Sequence, residues 1–223
     1  MRQTAAALSF LLAGLFVLPA PAPAADPAEV ERVSLHFEKV ALFLETSGKE
    51  AALSRWSQPP IINVHGGREH FKELAALLND LGKLTGLGFL TQKKSGKKAN
   101  FIIRFMPTAD IRAKTPLKLA NCAFRSGRKP DGTIVFAEVF ISTDNPEKTR
   151  HCIYQEITQA LGLRNDSDIV EDSIFNDSIV RFSLSDTDRI LIRTLYDSRL
   201  KPGMDRRTAM PIALGIIAQH MLR

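Results

Sequence analysis

The sequence predicts an α+β domain: a mixed, twisted sheet backed by one helix, with a second, capped helix after the last strand. Three observations predict it. Short β-like runs at residues 61–64, 100–106 and 133–142 are bounded by turn residues. Between the first two, Phe71, Leu74, Leu77, Leu78, Leu81 and Leu84 recur at the helical period. After the third, Asn145 followed by Pro146 reads as an N-cap with proline at the first helical position.

The elements follow in order. Residues 1–24 read as a signal peptide: Arg2, an apolar run at 8–18 too short to span a bilayer, and the small-residue cleavage site Ala22-Pro23-Ala24. Residues 25–57 form an N-terminal helical extension, in which Val30, Val33, Phe37, Val40 and Leu44 have helical spacing. Val33, Leu35 and Phe37 also alternate, so a short strand ahead of the helix is the competing pattern. The main domain, 58–223, opens after Pro59-Pro60 with the strand at 61–64, which Gly66-Gly67 closes. The amphipathic helix covers 70–84, and the strand at 100–106 stops at Pro107. A looser stretch holds Pro116, Cys122, Gly127 and Pro130, and Asp131-Gly132 turns the chain into the strand at 133–142. The helix begun at Pro146 runs to about Leu161, where Gly162 ends it. Ser185 to Asp188 resembles a capping box opening a helix through Tyr196, and 206–221 is a last amphipathic helix.

A formal net charge of +6 is mild, and few aromatics are interleaved with the basic residues, so nucleic acid is not an expected partner. The densest basic run, Lys93-Lys94-Ser95-Gly96-Lys97-Lys98, reads as a solvated loop, with a patch for an anionic envelope surface as the sharper alternative. No segment after residue 24 is apolar enough for an integral membrane span. Cys122 and Cys152 are an even count in an exported chain, which favours a disulfide over two buried thiols.

The helix that follows the 133–142 strand carries Gln155-Glu156-Ile157-Thr158-Gln159-Ala160-Leu161-Gly162-Leu163-Arg164-Asn165-Asp166. This frame resembles the metzincin zinc motif HExxHxxGxxH, with Gln155, Gln159 and Asn165 standing where the histidine ligands would be. Further on, Ser173-Ile174-Phe175 resembles the Met-turn, with Phe175 in place of methionine, and Leu195-Tyr196-Asp197 is similar to the end of the final helix. The chain as a whole resembles a family of proteobacterial exported proteins known only as domain of unknown function 2927. That resemblance implies a zincin-like, metzincin-type domain with a backing helix and a motif helix, while the signal peptide implies that the chain is periplasmic or secreted.

Amide oxygens bind zinc far less well than imidazole, so no metal and no cofactor is expected at Gln155, Gln159, Asn165 and Asp166. Asp166, Asp168, Glu171 and Asp172 read as a solvated acidic loop, and calcium is the alternative. The expected function is a non-catalytic peptide- or protein-binding or envelope-scaffolding module. It would use a cleft between the motif helix and residues 133–142, read as an edge strand. The alternative is a peptidase-like hydrolase in which Glu156 acts as base, with Gln155 or Gln159 holding an oxyanion, or with a non-standard metal.

Overall fold

A computed structural model describes residues 25–44, 47–115 and 121–222, and the signal peptide expected at 1–24 lies outside the described residues. The first helix, α1 (Pro27–Leu42), is capped by the Asp26 side chain, which accepts from the Ala28 N–H, and Pro27 occupies the first turn. The alternating pattern at Val33–Phe37 loses to the helical one because the 3.6-residue face meets a partner. Val33, Phe37, Val40 and Leu42 are buried in the main core, where α1 packs on α6 (Asp186–Tyr196) and α7 (Arg206–Met221). Each such side chain is worth about 1.5–3 kcal/mol on burial. The segment expected as an N-terminal extension therefore shares the core of the domain.

The sheet is built from β2 (Ile61–His65), β3 (Leu90–Thr91), β4 (Phe101–Met106), β5 (Ala123–Arg128) and β6 (Thr133–Ser142), with the two-residue β1 (Arg55–Trp56) beside the start of β6. Strands β3, β2, β4 and β6 lie side by side and parallel. β5 runs antiparallel on the far side of β6, from Ala123 opposite Phe140 to Arg128 opposite Ile134, with an irregularity at Gly127/Arg128. The parallel crossover from β2 to β3 is made by α2 (Phe71–Thr85), which ends at Gly86 in the left-handed region.

Two expectations are corrected here. The strand at 133–142 is not an edge: β6 is paired by β4 on one side and by β5 on the other. Its unbroken burial from Ala137 to Ser142 fits a strand covered on both faces. Ala137, Val139 and Ile141 face the main core, while Phe140 packs with Ile111 and Ala123 on the opposite side. The stretch read as loose between Pro107 and Asp131 contains a short helix, α4 (Thr108–Lys114), and β5 itself, which is an edge strand.

One crossing fixes how the N-terminal part meets the sheet. Leu53 N–H donates to Met204 O and Leu53 O accepts from Gly203 N–H, each at 2.8 Å. A Cβ on Gly132 would lie 2.5 Å from Leu53 O, so the Asp131-Gly132 turn must be a glycine turn there. The Ser54 hydroxyl accepts from Arg128 and from Arg164, each at 3.1 Å.

Candidate functional site

The motif helix α5 (Pro146–Gln159) follows β6 directly, and Asn145 Oδ1 caps it by accepting from Lys148 N–H at 2.9 Å. The Cys122–Cys152 disulfide joins the residue before β5 to the middle of this helix. Ile153 and Ile157 face the core, which turns His151, Gln155 and Gln159 along one stripe of the other side. The helix ends at Gln159, and Gly162 has φ +125°, a region that side chains rarely enter. A Cβ there would overlap the Ser54 carbonyl oxygen and stand 3.1 Å from Leu195 Cδ2. The glycine of the motif thus lets the chain fold back under the helix against the Leu53-Ser54 crossing.

What folds back is Asp166. Its Oδ1 accepts from Gln159 Nε2 at 2.7 Å and from Gln155 Nε2 at 3.2 Å. Gln155 Nε2 also donates to Asp177 Oδ1 at 2.5 Å. Carboxylates only accept, so it is the amide nitrogens that face them. Asn165, expected beside the two glutamines, turns the other way. Its side chain donates to Lys39 O at 3.1 Å and its backbone N–H to Val40 O at 3.2 Å, so it ties the motif to the end of α1. Glu156 is buried on the motif helix, 7 % exposed. Asp177 is a site residue that the sequence reading missed: nothing local links position 177 to position 155, and only the fold brings them together.

His151 completes the stripe. Its Nδ1 faces the Arg181 backbone, 3.1 Å from the amide nitrogen and 3.4 Å from the carbonyl oxygen, and Gln155 lies within hydrogen-bonding reach. Burial lowers its pKa, with the Arg181 backbone and Asp177 working the other way. Beneath, the Ser173–Phe175 turn is joined to the segment after Asp166 by the Ser167 N–H donating to Phe175 O at 2.8 Å. Phe175 is fully buried, with its ring edge-on to His36.

His36 of α1 is a second residue whose place the sequence did not reveal. It is fully buried, with Nδ1 at 2.9 Å from Ser167 Oγ and Nε2 at 3.0 Å from Ser173 Oγ. The Ser173 hydroxyl donates to Asp188 Oδ1 at 2.7 Å, so it accepts from His36 Nε2–H, and Nδ1 accepts from Ser167. Burial holds the His36 pKa down at about 4, so the ring is neutral near pH 7. Burial pushes the Asp188 carboxyl up, against hydrogen bonds from Ser173, Ser185 and Ile174 that favour its charge. Asp188 is also the residue that closes the capping box with Ser185, the only part of this network visible in the sequence.

Among the described residues no group of three His, Cys, Asp or Glu side chains is arranged to hold a metal ion. Asp172 pairs with Arg181, while Asp168 and Glu171 are exposed. Chemically, the centre of the site is a pair of neutral amides donating three hydrogen bonds to two carboxylates.

The model of the family described as protein of unknown function (DUF2927) matches residues 31–214. The chain belongs to the DUF2927 family. The match takes in most of α1, the whole sheet, the motif helix and the greater part of α7, so the docked N-terminal helix is part of the DUF2927 unit. A search of curated proteins finds no match for this DUF2927 chain.

Proposed function

We propose that this protein is a zincin-like, non-catalytic module that binds an extended peptide or a protein segment in the envelope. One observation carries the reading: Gln155 and Gln159, at the two helical ligand positions of the motif, spend their amide N–H groups on Asp166 and Asp177. Neutral amides bind zinc far less well than imidazole, thiolate or carboxylate, and a glutamate base needs an activated water. The zincin-like part is supported by a mixed sheet with a single antiparallel edge strand, a backing helix α2 and a motif helix that turns at Gly162. The disulfide supports an oxidising compartment outside the cytoplasm.

The docking edge in this reading is β5, which pairs only with β6 among the described residues and is anchored to the motif helix through Cys122–Cys152. A peptide would add as a further strand on its outer side, with main-chain hydrogen bonds supplying affinity. The test is a binding screen of extended peptides against the mature protein, followed by Arg125→Pro and Ser126→Pro. Adjacent N–H groups on a strand point to opposite sides, so one proline removes a bond to β6 and the other a bond to the ligand. The expected result is that the ligand-side variant stays folded and loses binding. Peptide hydrolysis by the wild type that disappears in Glu156→Gln would overturn the non-catalytic reading.

A further inference from the structure

A groove of about 1020 Å³ runs along α2, between that helix and the β2–β3 side of the sheet, and none of its lining residues belongs to the motif helix. Its floor is Ile62, Val64, Leu74, Leu78 and Phe89. Two large apolar side chains stand open to water on its rim, Phe71 at 47 % and Leu90 at 41 % exposure. The volume is at the upper end of the roughly 300–1,000 Å³ of small-molecule sites. From Phe71 to Lys83 the helix advances about 18 Å, the length scale of a long acyl chain.

The charge around the groove has one sign. Lys83, Lys93 and Lys94 line it, and no carboxylate does among the described residues. The acidic residues of α2 are turned elsewhere: Glu73 is bound by Arg150 and Asp80 by Arg189. An anionic group is therefore attracted without a competing internal partner.

The shape selects among anionic occupants. β3 is two residues long and α3 (Gln92–Ser95) follows it at once, so the sheet edge offers almost nothing to an added peptide strand. The apolar surface is concave, with Ile62 and Leu74 buried at its floor, which suits a single chain lying inside rather than a flat bilayer surface.

We propose that this groove binds one anionic single-chain amphiphile, its acyl chain along α2 and its carboxylate or phosphate headgroup against the lysine rim. The test is calorimetric titration of the mature protein with palmitate and with lysophosphatidylglycerol below their micellar concentrations. Hexadecanol and phosphatidylglycerol vesicles serve as comparisons. The expected result is one site per chain, abolished by Ala75→Trp, which fills the groove from an exposed helical position. Binding should fall about tenfold in the Lys83→Glu, Lys93→Glu, Lys94→Glu variant, since each exposed ion pair is screened by solvent and contributes little. Palmitate against lysophosphatidylglycerol separates a carboxylate ligand from a phosphate one, and either satisfies the proposal. Equal affinity for hexadecanol, binding unchanged in both variants, attachment to vesicles without uptake of monomers, or no binding at all would each overturn it. Because all three lysines are exposed, the charge variant reads the proposal even if the tryptophan variant fails to fold.

Discussion

Removing the Cys122–Cys152 bridge should cost this domain a large part of its stability, and the cost can be worked from the chain. The bridge closes a loop of sequence separation 30 that contains β5, β6 and the first half of α5. The chain-entropy relation gives about 12 cal/mol/K for a loop of roughly that size, or about 3.6 kcal/mol near room temperature. Both sulfurs are buried, and Cys122 Sγ accepts the Ser142 N–H at 3.3 Å. Replacing both cysteines with alanine therefore removes the bridge and also strands that buried donor, adding about 1 kcal/mol. Small domains hold only about 5–15 kcal/mol in total. The assay is urea unfolding of the oxidised protein, the reduced protein and the double Cys122→Ala, Cys152→Ala variant, at neutral pH. The order of stability expected is oxidised, reduced, alanine, with steps of about 3.6 and about 1 kcal/mol. A loss below about 1 kcal/mol on reduction would refute the reasoning, because the unfolded chain would then already hold the two ends together. An alanine variant as stable as the reduced protein would remove the role given to the Ser142 N–H.

Two further outcomes follow from the site. His36 has a folded pKa of about 4 against an ordinary value of 6.5, so between those values the unfolded chain binds the extra proton and stability falls as pH falls. The loss amounts to about 3 kcal/mol by pH 4 and should vanish in His36→Gln, measured by urea titration at several pH values. Asp188, with a raised pKa, acts in the opposite direction as pH rises above the ordinary carboxylate range, so the comparison with His36→Gln is what isolates the histidine. Gly162→Ala should lower stability by about 3 kcal/mol or more, since it combines a disfavoured φ with overlap against the Ser54 carbonyl. A thermal melt within a degree or two of wild type would show that the crossing at Ser54 is not held as described.

The parts of this fold that were legible in the sequence are those governed by near neighbours. Asn145-Pro146, the Ser185–Asp188 capping box and the stripe on α2 depend on residues no more than four apart, and all three appear as read. β5 was not legible because Ala-Phe-Arg-Ser-Gly-Arg has neither alternation nor a β-branched run. An edge strand needs only one partner and tolerates that composition. The place of β6 was misread because Glu138 and Ser142 interrupt the apolar run, and the six consecutive buried positions from Ala137 to Ser142 emerge only once β4 and β5 flank the strand and Arg104 and Arg125 pair with Glu138. At the site, the motif spacing located Gln155, Gln159 and Gly162 correctly on the fold. It put Asn165 in the wrong direction by one residue, because which of two neighbours faces the helix depends on the φ of Gly162 and on the grip of Lys39 and Val40 on Asn165. Asp177 and His36 are joined to the site across 22 and 131 positions, and no pattern along the chain encodes such pairings.

The Leu53-Ser54 crossing has a kinetic consequence. Its partners are Arg128, the Gly132 turn, Arg164 beside Gly162, and the Gly203-Met204 turn, spread over three regions far along the chain. None of these contacts rewards the chain until the hairpin of β5 and β6, the end of the motif helix and the turn between α6 and α7 already exist, because loop closure over such separations costs entropy first. The crossing should therefore close last, sealing α1 against the domain like a latch. A substitution at Ser54 would then speed unfolding while leaving the folding rate nearly untouched, the signature of contacts absent from the transition state.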